Sequence, residues 1–227
     1  MDAPKRNQLL KEHFSQFVSD HKREFMERVL ARRTRYVTIV LEDIYQSQNA
    51  SAVIRTCECL GLQDVHVIET NSRWTTNKLV LRGSDKWLDI IRYSGNETNN
   101  TERSFRALKE RGYRIAVTDP AGSVSIEDVP LDAPLAIVMG NERHGSSVYA
   151  SEHADMSINI PMSGFTESLN ISVSAAICIN ITLSRLRKSE LPWQLSEAEK
   201  EVLRLQWYKK AVRNADVIER EYLRLIE

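Results

Sequence analysis

Residues 36 to 69 read YVTIVLEDIYQSQNASAVIRTCECLGLQDVHVIE, and the reading of this run decides the fold. YVTIVL (36–41) and VHVIE (65–69) are β-branched runs of strand length. Between them, Asn49 to Leu60 carries Ala, Val, Ile, Cys and Leu at helical spacing, with Asn49 as the expected N-cap and Gly61 as the stop. A helix of this length between two strands is a crossover, so the strands are expected to lie parallel.

The same alternation continues outward. LDIIRY, a helix through TERSFRALKERG, YRIAVT (113–118), LAIVMG (135–140), a helix near Ser147 to His153, and MSINIP follow in order, and Gly112 stops its helix as Gly61 does. This implies an α/β core over residues 34–188: a mostly parallel sheet with helices on both faces. Residues 1–33 place Leu9, Leu10, Phe14, Phe17, Val18, Phe25, Met26, Val29 and Leu30 at the three-and-four spacing of an amphipathic helix or helix pair. Residues 189–227 form a second helical extension, in which Ser196 and Glu199 spell a capping box. No internal repeat interrupts this order.

Composition narrows the class. With 31 basic and 31 acidic residues the 227-residue chain has zero formal charge, so bulk charge selects no partner. Basic residues do gather locally, at Lys22 to Arg35, at Arg185 to Lys188 and at Lys209 to Arg213, where they suit either solvated helix faces or phosphate contacts. Three cysteines without metal-ligand spacing predict a reduced, cytoplasmic protein with no metal site. The charged N-terminus lacks a signal core, and no stretch approaches the roughly 20 apolar residues of a membrane span.

Three segments at the carboxyl edge of the expected sheet carry the chemistry, because ligands of open α/β folds bind there. The first is YQSQNASAVIRTCECLGL, in which Arg55 is embedded in an otherwise apolar helix and should face solvent or a cleft. The second is LAIVMGNERHGSS, a strand ending in Gly140-Asn141-Glu142-Arg143-His144-Gly145. Its glycines permit close backbone approach. It is neither a phosphate loop nor a dinucleotide fingerprint, which disfavours a flavodoxin-like nucleotide-binding enzyme. The third is INIPMSGFTESLNISVSAA, where Ser168 and Asn170 stand before an apolar segment as caps or as ligand contacts. The alternation of Ser168, Asn170, Ser172 and Ser174 is the pattern of a half-buried strand, yet the run flows into an apolar segment that looks like a buried helix.

Taken in this order, NASAVIR (49–55), IVMGNERHG (137–145) and IPMSGFTESLNISVSAA (160–176) resemble the three motifs of the SPOUT superfamily, in its SpoU or TrmH family of S-adenosylmethionine-dependent RNA 2′-O-ribose methyltransferases. The resemblance covers roughly residues 34 to 188. It implies a C-terminal trefoil knot, an exception to the rule against threaded chains, and a homodimer whose interface lies beside the cofactor. It also implies a helix start at the alternating run, with Ser172 and Ser174 mainly packing. Carried over by position, it implies cofactor contacts at Thr118, Gly140, Ile160 and Leu169, and catalytic or site-supporting roles for Asn49, Arg55, Glu142, Ser168 and Asn170. Arginine is almost never deprotonated. Arg55 is therefore expected to clamp a substrate phosphate and stabilise the developing alkoxide, with another group taking the proton. The short N-terminal and helical C-terminal extensions resemble members that methylate a guanosine of the tRNA D-loop. The alternatives are a ribosomal RNA substrate and a non-catalytic RNA-binding dimer of the same fold.

Overall fold

The computed structural model describes residues 2–95 and 99–226, which divide into two compact units, Thr34–Trp193 and a helical unit built from the two ends of the chain. The larger unit begins with β1 (Val37–Glu42), α3 (Ser47–Leu60) and β2 (Asp64–Ile68). It continues through α4 (Lys78–Leu81), a single 3₁₀ turn (Ser84–Trp87), β3 (Asp89–Tyr93), α5 (Asn100–Glu110) and β4 (Arg114–Thr118). It closes with β5 (Val124–Ser125), β6 (Leu135–Met139), α6 (Val148–His153), β7 (Met156–Asn159) and α7 (Ile171–Leu186).

The strands form one seven-stranded sheet in the order β3-β2-β1-β6-β4-β7-β5, and every pairing is parallel. In the central register Ile39 lies beside Val65 on one side and Ile137 on the other. Period-two alternation sends successive residues to opposite faces, and both faces are buried. Val37, Ile39, Leu41, Val65, Leu135 and Ile137 face α3 and α7, where Val53, Ile54, Cys178, Ile179 and Leu183 meet them. Val40, Ile115, Val117, Ala136 and Val138 face Phe105 and Leu108 of α5 and Ala150 of α6. The continuous apolar runs in the sequence follow from this two-sided cover.

Buried polar groups fix the two ends of the sheet. At the amino end, the Asp64 carboxylate is held by Arg35 (Nε–Oδ1 2.9 Å) and Arg111 (Nη2–Oδ2 2.8 Å). At the carboxyl end, Glu42 accepts from Thr101 Oγ1 (2.6 Å), Ser147 N (2.9 Å) and Ser147 Oγ (2.7 Å). It thereby ties β1 to the starts of α5 and α6. Gly61 caps α3 at φ 93°, and Gly112 follows α5 at φ 79°, left-handed conformations that glycine adopts without strain.

Two sequence expectations change, and two short elements are added. Asn49 is not the N-cap of α3: the helix opens at Ser47, with Gln46 at the cap, and Asn49 lies buried inside its first turn. The two-residue β5 and the one-turn α4 carry too few residues to show periodicity. Residues 189–193 pack with the core: Thr34 Oγ1 donates to Trp193 O (2.5 Å) and the Arg187 guanidinium stands 5.8 Å over the Trp193 ring.

The second unit comprises α1 (Ala3–Ser15), α2 (Asp20–Leu30), α8 (Glu197–Ala211) and α9 (Ala215–Ile226). Leu10, Phe14, Met26, Leu30, Leu203 and Trp207 form its buried interior. Arg204 grips Glu27 with two hydrogen bonds (2.5 and 2.7 Å), and the Ser196–Glu199 capping box is complete. No helix among the described residues is long and apolar enough to cross a membrane.

His66 of β2 is buried, with Nδ1 3.0 Å from the Tyr93 hydroxyl. Burial pushes its pKa from 6.5 down to about 4, against a smaller upward pull from Asp64. Between these two values the unfolded chain binds the proton and the folded chain does not, so stability is complete above 6.5 and is lost as pH falls toward 4. In urea unfolding, His66→Gln is expected to remove a pH slope of about 1.4 kcal/mol per unit in that window. Identical slopes for the two proteins would contradict the burial argument.

Candidate functional site

A cavity of about 410 Å³ opens at the carboxyl ends of β4, β6 and β7, within the range of pockets that hold one small organic ligand. Thr118, Asp119 and Pro120 line it after β4, Met139 to Glu142 with Gly145 after β6, and Ile158, Asn159, Ile160 and Met162 at and after β7. Glu167 to Asn170 form a further wall, continued by Ile171, Ser174 and Cys178 of α7, and α3 contributes Asn49 with Gln46 at its cap.

The loop after β6 is a tight hairpin. Asn141 and Gly145 exchange backbone hydrogen bonds of 2.8 and 2.9 Å. A Cβ on Gly140 would lie 2.3 Å from Ser146 N and 2.4 Å from Gly145 C. Only glycine lets the hairpin fold back so closely. Gly122 meets the same condition against the backbone of Ile158 (2.6 Å), and Asn159 Nδ2 donates to its carbonyl.

Glu142 turns inward from this hairpin to the start of α3. Its carboxylate accepts from Tyr45 N (2.9 Å), Gln46 N (3.2 Å) and Asn49 Nδ2 (2.9 Å). Asn49 Oδ1 in turn accepts from Asn170 Nδ2 (3.2 Å), and Asn170 Oδ1 caps α7 by accepting from Ser172 N (2.9 Å) and Ser172 Oγ (2.6 Å). One hydrogen-bonded chain thus joins all three segments singled out in the sequence. Burial would raise the Glu142 pKa, but the hydrogen bonds from Asn49 and the backbone of Tyr45 and Gln46 outweigh it and hold it below the usual carboxylate value. The resulting anion sits at the amino end of α3, where the helix dipole favours it.

The charge of the lining is one-sided. Asp119, Glu142 and Glu167 line the cavity, and among the described residues no Lys, Arg or His does. Cys178 is no nucleophile, because burial pushes its thiol up to about 12. Thr118 spends its hydroxyl on Val138 O (2.9 Å). The cavity therefore suits a ligand with a flat apolar part and positive charge, and it offers phosphate no cationic partner. No group of three His, Cys, Asp or Glu among the described residues is placed to hold a metal ion.

Eight of the nine expected site residues line this cavity: Asn49, Thr118, Gly140, Glu142, Ile160, Ser168, Leu169 and Asn170. Arg55 does not. Its exposed guanidinium reaches Val80 O (3.5 Å) in a separate groove with Ala52, Cys59, Ala176 and Asn180, between α3, α4 and α7. Ser174, expected to pack, lines the cavity instead, one helical turn beyond Asn170. Residues 171–186 are helix, so the period-two pattern there is incidental to helical packing. Asp119, Pro120, Asn159 and Glu167 were not foreseen. Asp119-Pro120 directly after an apolar strand was a readable sign, since strand ends at the carboxyl edge supply ligand contacts.

Glu142→Gln keeps the side-chain shape but removes the charge that three donors share. It is expected to destabilise the chain by about 1–3 kcal/mol at neutral pH. The folded pKa of Glu142 lies below 4.5, so its contribution is present above that value and fades as pH falls further. Denaturant unfolding at pH 7 and pH 4 checks both the loss and its shrinkage, and a difference that does not shrink on acidification would contradict the assignment.

The chain is similar to several known proteins. Residues 36–180 match the SpoU rRNA Methylase family. The tRNA (guanosine(18)-2′-O)-methyltransferase of Borreliella burgdorferi is 45% identical over 206 residues, covering 90% of this chain and 92% of its own. The protein of the same name from Thermus thermophilus is 32% identical over 162 residues, 71% of this chain and 81% of its own. The crystal structure of the A. aeolicus TrmH/SpoU tRNA modifying enzyme superposes with a TM-score of 0.74 at 27% identity, covering 86% of this chain and 98% of that one. With its family motifs joined by one hydrogen-bonded chain around a single cavity, the protein belongs to the SpoU methylase family.

Proposed function

We propose that this chain methylates the ribose 2′-hydroxyl of a guanosine in tRNA, with S-adenosylmethionine as methyl donor. The observation that carries the reading is the lining itself: three carboxylates, no cationic side chain and a backbone-walled cleft at the strand ends. S-Adenosylmethionine carries a sulfonium and an ammonium charge against one carboxylate, a net positive charge beside a flat adenine, which is the ligand chemistry that such a lining accepts. The 45% identity to a tRNA (guanosine(18)-2′-O)-methyltransferase, spread over nine-tenths of the chain, supports the RNA and the nucleoside.

Bound in this cavity, S-adenosylmethionine would supply an electrophilic methyl group for transfer to the ribose 2′-oxygen. Thr118, Gly140, Ile160 and Leu169 hold the cofactor, largely through backbone groups. Glu142 and Asn49 fix the hairpin and the start of α3 as one wall, while Asn170 fixes the start of α7 as the other. Ser168 borders the place where the ribose enters. Positioning of this kind supplies much of the rate of an in-line transfer.

Arg55 lies outside the cavity of its own chain, and this supports a homodimer in which the partner's copy completes the site. The exposed groove around Arg55 on α3 and α7 is the surface offered for that contact. There Arg55 clamps a substrate phosphate and stabilises the developing alkoxide. We also read the C-terminal segment as a trefoil knot. Its support is the path of the chain, which leaves β7 beyond β4 and returns to pack α7 against α3 and β1. Residues 1–33 and 194–227 act as helical extensions of the 34–193 methyltransferase core, and action on tRNA supports a cytoplasmic enzyme.

Transfer of labelled methyl to total tRNA and, separately, to ribosomal RNA tests the reading, with the product mapped as a nuclease-resistant 2′-O-methyl linkage. Labelling of tRNA at one guanosine is expected, and labelling of ribosomal RNA alone would overturn the substrate. Arg55→Lys should lose most methyl transfer while S-adenosylmethionine binding stays within about twofold, because the lost element is the planar fork and not the cofactor site. Near-normal turnover would remove Arg55 from the reaction.

A further inference from the structure

The rim of the cavity carries a feature that the cofactor reading leaves unused. Tyr45, in the link between β1 and α3, is 58% exposed, and the Arg143 guanidinium stands 4.6 Å over the centroid of its ring. Both side chains face solvent.

The two loops that bear them are held firmly. Glu142 accepts from the backbone N–H of Tyr45 (2.9 Å), Asn141 Nδ2 donates to Asp43 O (2.6 Å), and Asn141 Oδ1 accepts from Arg143 N (2.9 Å). The neighbours of the pair in sequence, Gln46 and Glu142, line the cavity. The pair is therefore preorganised at the cavity mouth. Among the described residues Arg143 has no carboxylate partner, since the adjacent Glu142 is turned inward to Asn49. Its charge and its outer face remain open to a ligand.

We propose that the Tyr45–Arg143 pair is a stacking platform for the base of the nucleotide being methylated. The inference rests on the methyltransferase reading and deepens it. A cavity of about 410 Å³ holds one small organic ligand, so the nucleotide being methylated meets it at the opening, with its base at the rim. An unstacked base is recognised by aromatic rings and guanidinium planes, and the two combined offer a flat, cationic surface to a purine. A phosphate alone would need the guanidinium but not the ring beneath it.

The test compares intact tRNA with the same tRNA carrying an abasic ribose, 2′-hydroxyl retained, at the target position. On intact tRNA, Tyr45→Ala and Arg143→Ala are each expected to lower kcat/KM by about tenfold or more, chiefly through KM, whereas Tyr45→Phe stays within about threefold. On the abasic substrate the wild type and all three variants should agree within about twofold, because the base that the platform holds is gone. Melting temperature and S-adenosylmethionine binding should not move, since the bond to Glu142 uses the Tyr45 backbone. Equal fractional losses on both substrates, or no loss on intact tRNA, would make the pair a staple between two loops and overturn the proposal. A wild type that methylates no RNA would defeat the methyltransferase reading and this inference with it, while an active wild type with equal losses defeats the inference alone.

Discussion

The site depends on one half-buried carboxylate, that of Glu142. Glu142 is reached by donors from the β1–α3 link, from the α3 cap and from Asn49, and through Asn49 it is coupled to Asn170 at the start of α7. Each hydrogen bond is modest alone, about 1 kcal/mol net and more where one partner is charged. Their value is positional. Segments separated by more than ninety residues are set in register, so the cavity walls exist before a ligand arrives. The sheet makes this possible by placing β1, β6 and β4 side by side, with their carboxyl ends converging on one edge.

Charge then decides what the cavity can take. Three carboxylates line it and, among the described residues, no cation does. The basic groups lie elsewhere: Arg143 at the rim against Tyr45, Arg55 in the groove between α3, α4 and α7. This separation sorts the two ligands of a methyl transfer to RNA. A cationic donor belongs inside, and a polyanionic acceptor approaches from outside, where guanidinium groups can meet it.

Much of this was legible in the sequence, for identifiable reasons. The parallel sheet followed from the doubly buried runs YVTIVL and LAIVMG and from Gly61 and Gly112 at the helix ends, all local signals. Eight of the residues expected from the three segments line one cavity because those segments lie at the carboxyl edge of the sheet, where ligands of such folds bind. The misplaced cap shows the limit. Asn49 is a good local cap, but Glu142, 93 residues away, takes that end of the helix and frees Asn49 to bridge onward. Ser174 was assigned to packing because small residues suit close packing at a knot or dimer contact; one turn beyond Asn170, it lines the cavity. Arg55 could be read as embedded in an apolar helix, yet the side on which it emerges follows from how α3 packs on α7, and that is tertiary information.

The relation between lining charge and ligand is open to a direct measurement, calorimetric titration of the protein with S-adenosylmethionine and, in parallel, with adenosine 5′-monophosphate. The two share adenosine and differ in the sign of the charge they bring to Asp119, Glu142 and Glu167. One-to-one binding of S-adenosylmethionine, at least about tenfold tighter than the monophosphate, is the predicted result. Equal or tighter binding of the monophosphate, or binding of neither, would contradict it.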